Sequence, residues 1–187
     1  MFIRTSAFIA GALITCAVAA APVDELVKPC AECHGAAGVA GAAGTPHLSG
    51  QIAGYLQQEI SALSTNERKS TVASHVPATW SAKEISLVAK FYAASKQPRP
   101  KQATDPVKVA RGEDLYNRRC NVCHIENGRG SDKDAPLMAA QNLEYMAEQT
   151  KLYVSGKRRF PFMMDDSYAG LKAEDLEAIA HFFASQN

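Results

Sequence analysis

The sequence predicts an all-α fold made of two tandem, homologous units, and three observations carry that prediction. Apolar residues recur at helical spacing and no convincing strand alternation appears. The chain repeats itself at an offset of 90 to 91 positions. Each copy of the repeat contains one C-x-x-C-H motif, Cys30-Ala31-Glu32-Cys33-His34 and Cys120-Asn121-Val122-Cys123-His124.

The helices follow in order. The motif segments read as helices over about Val23 to Cys33 and Val107 to Cys123. A second helix is expected over Ile52 to Leu63, with its partner over Leu143 to Val154. Ile85, Val88, Ala89 and Tyr92 fall at i, i+3, i+4 and i+7, as do Leu176, Ile179, Ala180 and Phe183. Ser81 and Lys172 stand near the starts of these two last helices, with Glu84 and Glu174-Asp175 in first turns where the helix dipole favours them. Gly54-Tyr55-Leu56 answers Glu144-Tyr145-Met146, and Glu67-Arg68-Lys69 answers Lys157-Arg158-Arg159. The Gly- and Ala-rich stretch from Gly35 to Gly50 suits a wrap around a flat group rather than regular structure.

Composition narrows the function. Of 187 residues, 20 are basic and 19 acidic, a balance that argues against a nucleic-acid binder. Arg4, the apolar run from Ala7 to Ala20 and the small residues at 17–21 read as a secretory signal over 1–21. The expected location is therefore the periplasm. Leu13-Ile14-Thr15-Cys16 only faintly resembles a lipoprotein signal, since Thr is a poor residue before the cysteine. Membrane association is otherwise expected only through a partner. Domain 1 is expected over 22–96, a linker over 97–104 and domain 2 over 105–187, each small enough to need a staple.

The motif supplies that staple. Two thiols three positions apart on one helical turn can add to the two vinyl groups of a haem, and the next histidine then reaches the iron. Cys30, Cys33, Cys120 and Cys123 are thus expected to hold two covalent haem c groups, with His34 and His124 as axial iron ligands. Two disulfides or a four-cysteine zinc site would leave both histidines unexplained. A C-x-x-C redox pair would need a βαβ setting.

With Pro46-His47-Leu48-Ser49-Gly50-Gln51 and Tyr55-Leu56 in the first half, the repeated motifs resemble the cytochrome c4 family. The segments Glu67 to Val72 and Lys157 to Pro161 are also similar to the di-haem subunit of flavocytochrome c sulfide dehydrogenases. Either resemblance implies class I cytochrome c domains of three main helices, related by a pseudo-twofold axis. It implies a periplasmic electron carrier or the electron-accepting subunit of an oxidoreductase complex, and no Ser/His/Asp, Cys/His or paired-carboxylate catalytic set stands out among the residues. Its partner would be a membrane oxidase or reductase, or a flavoprotein sulfide dehydrogenase subunit.

The family also implies a methionine sulfur opposite each histidine. In the second half its motif selects Met164, with Met163 one residue away. The first half has no methionine between Gly35 and Leu137, and Ala73 stands where the ligand belongs. His75 on the same loop, an open site, or His47 after the first motif are the alternatives. An open first haem would allow small-molecule binding or catalysis. Asp165-Asp166, Glu174-Asp175 and the Lys157–Arg159 run read as solvated charge, and His181 as a packing residue.

Overall fold

The computed structural model describes residues 22–132, 135–159 and 164–187. Among these, the regular structure is entirely helical: α1 (Val23–His34), α2 (Ala53–Ser64), α3 (Ala82–Ala94), α4 (Pro106–Arg119), α5 (Ile125–Gly128), α6 (Leu143–Val154), α7 (Asp165–Tyr168) and α8 (Ala173–Ser185). None of the described helices is long and apolar enough to cross a membrane. The expected signal segment, Cys16 and Met163 lie outside the described residues.

Local chemistry sets the helix ends. Ser81 caps α3 in a reciprocal box, its hydroxyl accepting from Glu84 N while the Glu84 carboxylate accepts from Ser81 N. Asp175 accepts from Lys172 N at the start of α8. Asp105 caps α4 ahead of Pro106, whose ring suits the first helical position. His181 does more than pack, because its Nδ1 accepts from Asp105 N at 3.1 Å and ties α8 to the start of α4.

The motif helix α4 stops at Arg119, short of the expected Cys123. Both Cys120 N and Asn121 N donate to Tyr116 O, which unwinds the last turn. The Tyr116 hydroxyl donates to His124 O and accepts from Asn127 N, both at 2.8 Å, and so fixes the turn that follows.

Each half buries one apolar stripe. Leu26, Val27, Leu56, Val88, Ala89 and Tyr92 form the first core. Leu115, Tyr116, Met146, Ile179, Phe182 and Phe183 dominate the second. The eight positions expected at helical spacing on α3 and α8 are all buried. Gly112 is required where α4 crosses α8, since a Cβ there would lie 2.1 Å from Ala178 O.

The segment between α3 and α4 is a strap rather than a loose tether. Arg99 donates to Leu137 O, Ala139 O and Ser49 O, and Gln102 donates to Gln141 O and accepts from Leu143 N.

Candidate haem sites

Both motif histidines are held alike. His34 Nδ1 lies 3.0 Å from Pro46 O, and His124 Nδ1 lies 2.9 Å from Pro136 O. A proline carbonyl can only accept, so each ring carries its proton on Nδ1. Each Nε2 therefore keeps a lone pair, the form a metal-bound imidazole requires. Both rings are buried, and that burial holds their pKa values below the ordinary histidine range. Phe183 meets the His124 ring edge-on at a centroid distance of 6.0 Å.

Among the described residues, the four motif cysteines form no disulfide. Burial pushes Cys30 up and Cys120 up to about 11, as expected for sulfurs facing an apolar space. That space is a cleft of about 1700 Å³ lined from both halves, including Cys30, His34, Cys120, Cys123 and His124. The Tyr92 hydroxyl on its wall is enclosed without an oxygen or nitrogen partner and has only the Cys30 thiol beside it. Paired cysteine sulfurs, preset imidazoles, an orphaned hydroxyl and a large, mainly apolar cleft all fit a haem in each half.

The sixth-ligand candidates are placed differently. His75 is on the loop before α3, and its Nδ1 lies 2.8 Å from Ser70 Oγ. Its ring faces that of His34, with centroids 5.9 Å apart and planes only 6° from parallel. Desolvation at the cleft, then the charges of His34 and Arg68, lower its pKa. His47 is enclosed, and Ala40 N donates to its Nδ1 at 3.0 Å. Its neutral ring therefore carries the proton on Nε2. Met164 stands at the start of α7 and lines the cleft together with His124. Met146 is core and Met138 packs against it.

Sequence reasoning missed the charge cluster between the halves. The Glu59 carboxylate accepts from Arg68 and, at 2.9 Å, from Arg158. Arg68 also donates to Tyr145 Oη at 3.0 Å, and Arg158 to Gln149. The Arg158 side chain is only 11% exposed, so this member of the 157–159 run is not solvated charge. The signal available was the repeat itself, which places Arg68 opposite Arg158.

Comparison with known proteins bears on the family and the fold. The cytochrome c family profile matches residues 109–187. The thiosulfate dehydrogenase electron acceptor of Thiomonas intermedia is 30% identical over 151 residues, spanning 75% of this chain and 68% of that protein. The chain belongs to the cytochrome c4-like di-haem family. Reduced cytochrome c4 from Pseudomonas stutzeri shares the fold of this cytochrome, with a TM-score of 0.78 at 24% identity over 88% of this chain and 97% of that one. A thiosulfate dehydrogenase from Marichromatium purpuratum matches with a TM-score of 0.73 and 28% identity, over 84% of this chain but 36% of that one. This cytochrome is accordingly an electron-transfer protein of two tandem class I domains with two covalently bound haem c groups.

Proposed function

We propose that this cytochrome is a periplasmic carrier that accepts electrons from a thiosulfate-oxidising dehydrogenase, through two haems with unlike ligand sets. Cys30 and Cys33 bind the haem of a first domain over 22–96, and Cys120 and Cys123 that of a second over 105–187, with His34 and His124 as the proximal ligands. The second iron takes Met164 as its sixth ligand, and the first takes His75.

The spacing of the His34 and His75 rings across the cleft carries this reading. Two imidazoles that each place a nitrogen about 2 Å from one metal hold their centroids about 6 Å apart. The His34 and His75 centroids lie 5.9 Å apart. Ser70 Oγ pairs with His75 Nδ1, so that bond leaves Nε2 unengaged. His47 is the weaker candidate because its Nδ1 is an acceptor and its Nε2 keeps the proton.

When bound, the haems supply the redox chemistry, and the protein sets their potentials and orientation. A thioether favours reduced iron and raises the potential, whereas a second imidazole lowers it relative to methionine. Electrons then rest on the second haem. With both positions filled, the chain has no open site for substrate and acts as a carrier. The names of the Thiomonas and Marichromatium relatives support a thiosulfate dehydrogenase as donor.

The test is a reconstitution. Thiosulfate with a thiosulfate dehydrogenase should reduce the purified ferric protein, whereas thiosulfate alone should not. Carbon monoxide should leave the reduced spectrum unchanged. Rapid carbon monoxide uptake would contradict the closed first haem, and failure of enzymatic reduction would contradict the donor.

A further inference from the structure

Each motif histidine is linked to the other half of the molecule through one peptide unit. The Pro46 carbonyl, which accepts from His34 Nδ1, belongs to the same peptide unit as the His47 N–H. That N–H donates to Gln141 Oε1 at 2.7 Å, and Gln141 Nε2 donates back to His47 O at 3.0 Å. The second half repeats the arrangement in the opposite sense. The Pro136 carbonyl accepts from His124 Nδ1, and the Leu137 N–H of that peptide unit donates to Gln51 Oε1 at 2.7 Å. Gln51 Nε2 returns a bond to Leu137 O at 3.0 Å.

Both glutamines are buried, at 3% and 4% exposure, so these bonds are shielded from water. Each Oε1 also accepts the backbone N–H at the start of its own helix, Ile52 N at 2.9 Å for Gln51 and Asn142 N at 2.8 Å for Gln141. Two unbroken chains result. One runs from His34 through Pro46 and His47 to Gln141 at the head of α6. The other runs from His124 through Pro136 and Leu137 to Gln51 at the head of α2.

Hydrogen bonds in such a chain polarise one another. An acceptor on a peptide N–H makes the carbonyl of that unit a better acceptor. A stronger bond at Nδ1 makes the imidazole more basic toward its metal. We infer that Gln51 and Gln141 are positioning residues acting in a crossed sense: Gln141 of the second half holds down the potential of the first haem, and Gln51 of the first half that of the second. Movement between the halves, as on partner docking, then changes both potentials. The inference rests on His34 and His124 being the iron ligands.

Gln141→Leu and Gln51→Leu remove the bonds while keeping side-chain bulk. Spectroelectrochemistry can resolve the haems, because only the second is expected to carry a sulfur-to-iron band. Gln141→Leu should raise the potential of the first haem, shifting its oxidised-to-reduced ratio at fixed potential toward the reduced form, and leave the second unmoved. Gln51→Leu should do the reverse. Shifts on the haem of the same half, equal shifts on both, or none would overturn the crossed wiring.

If a leucine variant does not retain both haems, Gln141→Glu serves. Its anionic acceptor should lower the first potential, and a rise would overturn the proposal. His34→Ala separates the two levels: an unchanged first-haem spectrum would sink the ligand assignment itself, whereas a changed one leaves only the wiring at issue.

Discussion

Met164 and His75 are the two residues on which the proposed ligand sets turn. Both occupy loops on the cleft, and both are assigned against a neighbouring alternative. Met164→Ala should abolish the sulfur-to-iron charge-transfer band and lower the second haem's potential, while Met163→Ala should leave the band in place. Loss of the band only in the Met163 variant would reverse the assignment. The cysteine and histidine positions were legible in the sequence because the motif is a chemical requirement of adjacent residues. The approach of His75 to His34 had no such signal, because it depends on how a loop returns from residue 70 to residue 81. The Ser70 bond to His75 and the burial of Arg158 had no local signature at all.

At the scale of elements, two features carry stability. The α4–α8 crossing depends on Gly112, where any side chain would strike Ala178 O. Gly112→Ala should cost on the order of 2–4 kcal/mol, seen as an earlier thermal unfolding step. Gly41→Ala, with open space around its Cβ position, should change little. A neutral Gly112 variant would mean that the two helices separate freely.

The loop after α1 depends on His47, whose burial holds its pKa down to about 4 against an ordinary 6.5. An unfolded chain therefore binds more protons there than the folded one between these values. The stabilisation is complete above about pH 6.5 and is lost as pH falls toward 4, amounting to at most about 3 kcal/mol. Urea midpoints measured across that window should fall with acid, and His47→Gln should flatten the slope. An unaltered slope would remove His47 as the cause. Helix positions were readable from the 3.6-residue period and the capping residues Ser81 and Asp105. The early end of α4 was not, because it arises from the shared Tyr116 carbonyl acceptor.

On the scale of the whole molecule, duplication gives two similar haem pockets, and divergence makes them unequal. The repeat was visible in sequence, but its consequence at the interface was not. Reciprocal Gln51 and Gln141 clamps, and one Glu59 carboxylate shared by Arg68 and Arg158, join residues about 90 positions apart whose types are ordinary surface ones. The proposed ligand difference would give the molecule a direction, with electrons settling on the methionine-ligated side. Low-temperature electron paramagnetic resonance of the oxidised protein, beside a His75→Ala variant, tests that claim most directly. The predicted result is two low-spin haems in the parent, with the signal of the bis-imidazole centre replaced by a high-spin one in the variant. A high-spin haem already present in the parent and indifferent to His75→Ala would contradict it.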